Sequence, residues 1–250
     1  MNTADEQYTT LFCEGDGRID IQDNGCASYP RVFFYQKERE VLDYIASLFP
    51  DGLFYQGEGA WQLRYNSSHC TPLLEAFSRH AVSKRFVEQL NKVLEVAGLS
   101  QTTQHPITLD GFVGFWDAEG SSFNSNLFVV QKDREILDII AATFGGGVSC
   151  RTTYGGGKVA YNSEGYVGHQ WYLSGEKARE LAKVLMEKSH CPAKVERLHT
   201  NFEGPSYYAR HHEGRTAYQQ KVESRKSMIR KYIKAHPELV AKLQTEAQTT

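Results

Sequence analysis

The residues best suited to do chemistry are two short acidic runs. Cys13-Glu14-Gly15-Asp16-Gly17 and Trp116-Asp117-Ala118-Glu119-Gly120 each read acid, small residue, acid, glycine. Carboxylates act as general acids and bases and as ligands for hard cations, yet a lone Asp-Gly or Glu-Gly is ordinarily just a helix end. Matched context lifts these above that reading. The segment Gln36–Ala46 returns as Gln131–Ala141, with Glu38, Val41 and Tyr44 becoming Asp133, Ile136 and Ile139. A duplicated unit therefore places one carboxylate in each half, Asp16 and Glu119. Such a site lies on an internal two-fold axis and suits a substrate that is itself two-fold symmetric, for which duplex DNA is the obvious candidate.

Apolar spacing and turn residues indicate which elements position these acids. A helix is expected over residues 6 to 15, ended by Gly17. Alternation in Arg18–Gln22 and Arg31–Gln36 across a turn-rich loop predicts a hairpin. Val41, Leu42, Ile45, Leu48 and Phe49 have helical spacing, stopped by Pro50-Asp51-Gly52. Leu53–Tyr55 and Trp61–Tyr65 form a second hairpin across Gly57-Glu58-Gly59, and helices at 71–79 and 83–97 close the unit as αββαββαα. The polar stretch 101–108 is the expected linker between a first repeat (1–100) and a second (109–203), leaving 204–250 as a basic helical extension. The second repeat has a shorter first hairpin and a longer second one, from Val148 to Leu173, with Gly155-Gly156-Gly157 at its tip. The expected fold class is α+β, with two pseudo-symmetric repeats and antiparallel sheets.

Composition bounds the rest. The 250 residues are 40% hydrophobic and 23% charged, as in globular proteins, and no window approaches the roughly 18 apolar residues of a membrane span. No secretory signal is evident, so an intracellular setting is expected, whether organelle, phage-infected cell or prokaryotic cytoplasm. Five scattered cysteines without a Cys-x-x-Cys pair argue for reduced thiols over disulfides or a zinc knuckle. The net charge of −2 is unusual for a nucleic-acid binder, whose surface normally carries excess cations. Where the charges sit must then matter more than their sum. The histidines have no partner at ligand spacing.

With these motifs and this element order, the sequence resembles the single-chain LAGLIDADG homing endonucleases over about residues 8 to 202. Phe112–Gly120 is the closer match, with Gly114, Asp117, Ala118 and Gly120 in place and Glu119 where the family often has Asp. The first copy is looser, with Leu11 where the family prefers a small residue. The resemblance implies that the two motif helices cross at small residues, Gly15, Gly114 and Ala118, and bring Asp16 and Glu119 together. Helix C-terminal ends are already negative, so that arrangement costs energy when empty. A divalent cation offsets it. The implied cofactor is Mg2+, with Mn2+ as an alternative and Ca2+ as a non-cleaving substitute, held by the Asp16 and Glu119 carboxylates and the Gly15 and Ala118 carbonyls. Gln36 and Gln131 stand where the family orders the water around the metals. Lys84 and Lys194, each four residues after a histidine, stand where it carries a lysine near the scissile phosphate, although lysine is ordinarily a solvated surface residue.

The implied partner is a monomer's double-stranded DNA target of about 20 base pairs, since a nine-residue strand spans about 30 Å. Expected contacts are Arg18, Asp20, Gln22, Arg31, Arg64, Arg151, Thr153, Lys158 and Asn162. Strand alternation leaves open which parity faces DNA. Lys37, Arg39, Lys132 and Arg134 either contact phosphate or decorate an exposed first helical turn. Unequal hairpins imply an asymmetric target. The expected activity is double-strand cleavage leaving 3′ overhangs. An intron RNA-splicing maturase and a noncatalytic DNA-binding regulator are alternatives on the same fold, with retention of both acids counting against them. An intein is not expected, because the helix-first repeat starts just after Met1. No membrane partner is expected.

Overall fold

The computed structural model describes residues 2–152 and 167–203, with side chains known for all of these except 151, 152 and 167. The expectations at Thr153, Lys158, Asn162 and the 204–250 extension lie outside the described residues. Up to Gly204 the chain forms one compact unit.

The unit reads α1 (Thr3–Asp16), β1 (Gly17–Asp23), β2 (Ser28–Gln36), α2 (Arg39–Leu48), β3 (Leu53–Gln56), β4 (Trp61–Asn66), α3 (Thr71–His80) and α4 (Lys84–Val96). The order then recurs as α5 (Leu109–Glu119), β5 (Gly120–Phe123), β6 (Asn126–Gln131), α6 (Arg134–Phe144), β7 (Gly147–Thr152), β8 (Val167–Leu173), α7 (Gly175–Lys188) and α8 (Pro192–Phe202). This is the anticipated α+β architecture. Each repeat builds an antiparallel four-stranded sheet, ordered β1-β2-β4-β3 and β5-β6-β8-β7.

Helix α1 starts three residues earlier than the apolar pattern suggests, because the Asn2 side chain caps it by accepting from the Asp5 amide at 2.9 Å. Helices α2 and α6, the duplicated segment, bury Val41, Leu42 and Ile45 in one half and Ile136, Leu137 and Ile140 in the other. Their apolar stripes cover one face of each sheet. The β5–β6 hairpin is the shorter of the two first hairpins: Asn124 and Ser125 take left-handed φ values of 50° and 59°, the backbone of a tight two-residue connection. One continuous core links the halves through Tyr8, Leu11 and Phe12 of α1 and Phe112, Phe115 and Trp116 of α5. All five cysteines are free thiols, three of them buried.

Candidate active site

The two motif helices cross with almost no space between their backbones. A Cβ on Gly114 would lie 2.0 Å from the Tyr8 carbonyl oxygen, and one on Gly15 would lie 2.5 Å from the Ala118 Cβ. Leu11, the bulky departure from the small-residue pattern, is accommodated because it faces Gly111, whose added Cβ would meet the Leu11 side chain at 3.2 Å. Both helices end in a glycine with extended backbone, φ −107° at Gly17 and −71° at Gly120. The expected glycine stop is thus a matter of space and not of left-handed φ. A Cβ at Gly120 would sit 2.2 Å from the Trp116 ring.

The first acid of each motif is an anchor that sequence reasoning missed. Glu14 accepts the Val82 and Ser83 amides at 2.6 and 3.1 Å. Asp117, fully buried, accepts from the Ser189 hydroxyl at 2.5 Å, the His190 amide at 2.7 Å and the Tyr8 hydroxyl at 2.7 Å. Each acid thereby fixes the loop that starts the last helix of its own repeat. The signal was present in the mirrored acid, small residue, acid spacing, of which only the second acid was used.

The second acids converge. Burial pushes Asp16 up to about 6, with Lys194 pulling it down and Glu38 pushing it further up. Burial, then the charge of Asp16, push Glu119 up to about 7, against Lys194 and a hydrogen bond from Gln131. That bond, Gln131 Nε2 to Glu119 Oε1, is 2.6 Å. Lys194 donates to the Trp116 and Ala118 carbonyls, both at 2.8 Å. Burial lowers its pKa, while Asp117, Cys191 and the two acids act to raise it. Gln36 plays a different part from Gln131: it is buried, and its Nε2 crosses to the Asp117 carbonyl at 3.1 Å.

Two carboxylates with raised pKa values, Glu119 pushed up in part by the charge of Asp16, at the carbonyl ends of two helices fit a hard divalent cation. Among the described residues no cluster of three or more His, Cys, Asp or Glu could hold a metal. A hard cation held by only two carboxylates would complete its shell with water and phosphate. The Ala118 carbonyl already accepts the Lys194 ammonium, so as a ligand it would have to share. A pH dependence follows. Glu14, Asp16 and Glu119 all have raised folded pKa values, so the stability they contribute is complete below their unfolded values near 4 and is lost as pH rises through about 6 to 7. His80 and His190 are depressed by burial and oppose this only below their unfolded value of about 6.5. Metal-free protein should therefore melt several degrees higher at pH 6.5 than at pH 8 by calorimetry, with Ca2+ raising the pH 8 melting temperature more than the pH 6.5 one. A Ca2+ effect independent of pH would show that the cation binds elsewhere.

Lys84 does not join this cluster. It is the exposed first residue of α4, its Nζ lies 3.9 Å from Glu88, and its amide donates to Glu135 at 3.1 Å. The matched histidine spacing misplaced it by two residues. Counted from the helix caps Ser83 and Cys191, the counterpart of Lys194 is Phe86. Arg39 and Arg134 pair along their own helices with Asp43 and Asp138 at 3.2 and 3.1 Å. Lys37 and Lys132 are exposed at the strand-to-helix turns.

The strand parity left open by the sequence resolves in the first sheet. Ile19, Val32, Phe34, Leu63 and Tyr65 point into the core, which puts Arg18, Asp20, Gln22, Arg31 and Arg64 together on the helix-free face. Arg31 donates to Asp20 at 2.7 and 3.0 Å and to Gln22 at 2.9 Å. Arg18 pairs with Asp20 at 2.8 Å. Both Arg31 and Arg64 stack on Phe33, at 5.1 and 5.5 Å from the ring centre. The corresponding face of the second sheet carries, among the described residues, Ser121, Phe128, Val130, Gln170 and Tyr172, and the register puts position 151 on the same face. Arg151 stands in β7 opposite Gly168.

Two such repeats joined along crossed acidic helices define the LAGLIDADG homing endonuclease fold. A mutant of I-SmaMI superposes with a TM-score of 0.50 at 12% identity, covering 82% of this chain and 94% of that one. The LAGLIDADG meganuclease I-AabMI bound to uncleaved DNA gives 0.47 at 16% identity, with 82% and 99% covered. I-DmoI in complex with DNA and Ca gives 0.49 at 14% identity, with 78% and 97% covered. No protein-family model matches the sequence, and no curated protein does.

Proposed function

We propose that this chain is a site-specific endonuclease that cuts both strands of a long, asymmetric DNA duplex with a divalent cation. The observation that carries the reading is the convergence of Asp16 and Glu119, one from each repeat, beside Lys194 and Gln131. The fold shared with I-SmaMI agrees with that reading. Asp16 and Glu119 would hold Mg2+ or Mn2+, which when bound supplies positive charge at a phosphate oxygen and acidity to a water. Gln131 fixes the orientation of the Glu119 carboxylate. Lys194 is held by two carbonyls within electrostatic reach of both acids, where it can offset charge developing on phosphate. Since one chain supplies both acids, a monomer suffices.

Reading of the target would fall to the helix-free sheet faces. The first sheet offers guanidinium, carboxylate and amide groups that suit base edges in the major groove, and the described part of the second mixes apolar side chains that suit thymine methyls with Ser121, Gln170 and the Arg151 position. This difference in chemistry supports unlike half-sites. Two sheets end to end would cover roughly 20 base pairs, with cuts offset to leave 3′ overhangs. The test is cleavage of a randomised duplex library in Mg2+, with the cut ends sequenced. Discrete ends at one long asymmetric site are expected. Sequence-selective binding without any cut would reassign the protein to the maturase or regulator class.

A further inference from the structure

A carboxylate stands in the middle of a face proposed to meet a polyanion. Asp20 lies on the helix-free side of β1, directly opposite Arg31 of β2, and its side chain is 17% exposed. Alone there it would repel phosphate. It is instead neutralised by two arginines: Arg31 Nε and Nη2 reach its two oxygens at 2.7 and 3.0 Å, and Arg18 Nη2 reaches one of them at 2.8 Å. Arg31 Nη1 donates to Gln22 at 2.9 Å, and its guanidinium carbon sits 5.1 Å from the centre of the Phe33 ring. Arg64, opposite Phe33 in β4, bears on the same ring at 5.5 Å. Arg31 is thus held on two edges and one face before any ligand arrives.

A guanidinium carries five N–H donors. Among the described residues three of those on Arg31 are engaged, which leaves one on each terminal nitrogen. Two donors fixed in one plane match the two acceptors, O6 and N7, that guanine presents in the major groove. Adenine there sets a donor beside its acceptor, thymine offers a single acceptor, and cytosine offers a donor. A phosphate would accept the same fork, but the Asp20 carboxylate beside it opposes a second anion. We propose that Asp20 is a positioning residue that makes Arg31 a reader of guanine, so that the half-site lying on the first sheet carries a required G·C pair. The proposal rests on the endonuclease reading and names one base of its target. Asp20 stands four residues beyond Asp16, about 13 Å along an extended strand. With base pairs about 3.4 Å apart, the guanine is expected within about six base pairs of the cut.

The experiment uses the full chain and a randomised duplex library, with bound duplexes sequenced in Ca2+ and the cut mapped in Mg2+. Fluorescence anisotropy then follows on the selected duplex and its single-pair variants. One guanine in that window should be required, replacement of its pair by A·T weakening binding by about 5- to 100-fold. Arg31→Lys keeps the charge and loses the fork, so it should reduce that preference to below about 3-fold and leave the other positions as they were. Asp20→Asn should flatten the same preference and yet bind unselected duplex more tightly, because a negative charge has left the face. A merely structural role for Asp20 would not move these two readouts in opposite directions. A selected site with no required guanine in the window, a result that needs no variant to fold, would overturn the proposal. So would an Arg31→Lys protein that still demands guanine there. Failure to select any sequence would overturn the site-specific endonuclease reading itself, which separates the two failures.

Discussion

Asp16→Asn and Glu119→Gln are each expected to lower cleavage by at least about 1,000-fold while making the metal-free protein more stable. The two effects have one cause. In the folded chain these carboxylates are half-buried at the negative ends of two helices, Glu119 also feeling the charge of Asp16, so ionising them opposes folding at neutral pH. Each unit by which a carboxylate pKa is raised corresponds to about 1.4 kcal/mol at a pH where the group is ionised. A neutral amide of the same shape removes that cost, and a gain of about 2 kcal/mol per variant at pH 8 is expected. The same change removes a hard anionic ligand and, with it, the cation that would act on the phosphate. Denaturant unfolding without metal, run beside cleavage with Mg2+, reads both. A variant that loses activity and stability together would mean that the acid is a structural anchor, the part already taken by Glu14 and Asp117.

Gly114→Ala is expected to be the most damaging glycine-to-alanine change among the described residues of the helix crossing. Its Cβ would lie 2.0 Å from the Tyr8 carbonyl oxygen and 2.8 Å from the carbonyl carbon, so the obstacle is backbone and no side-chain rotation relieves it. The helices must move apart, and the bonds that depend on their spacing go with them, including Tyr8 to Asp117 at 2.7 Å and Gln36 to the Asp117 carbonyl at 3.1 Å. Overpacking of a close-packed interior costs about 1–3 kcal/mol, and leaving a buried acceptor unpaired costs about as much again. A melting temperature lower by about 10 °C or more is expected, with cleavage lost at temperatures where the parent is active. Gly111→Ala is the control, since its Cβ would meet only the Leu11 and Thr108 side chains, at 3.2 and 3.3 Å, and flexible side chains can yield. Equal loss in the two variants would argue against backbone contact as the cause.

Element order and the acid pair were legible because duplication supplies its own check. The apolar spacing of Val41, Leu42 and Ile45 recurs as Ile136, Leu137 and Ile140, and a coincidence seldom repeats in register. What stayed hidden depended on three-dimensional reference points. Lys84 and Lys194 were matched by distance from a histidine, but neither His80 nor His190 sets the start of the following helix. The caps Ser83 and Cys191 do: Glu14 holds the Ser83 amide, and Asp117 holds Ser189, whose hydroxyl oxygen accepts the Cys191 amide. The parity of β1 and β2 was hidden because Arg18, Asp20 and Arg31 alternate with Ile19, Val32 and Phe34 in a pattern that either face could bury. Packing of the helices decides it. Gln36 and Gln131 looked equivalent, yet one reaches a backbone carbonyl of the other repeat and the other reaches a carboxylate of its own.

Helix α1 ends at Asp16 and β1 begins at Gly17; α5 ends at Glu119 and β5 begins at Gly120. No residue separates the acid from the strand, and the glycines pack so tightly that neither junction has play. Arg18, the first side chain on the outer face of its sheet, is two residues from Asp16. In the proposed endonuclease, recognition and scission would be geared together like a key bitted onto its own lever. A base that tilted the first strand out of register would also tilt the carboxylate away from its partner, so a mismatched site would be penalised twice, once in contact and once in alignment. Fidelity of this kind would need no separate moving part.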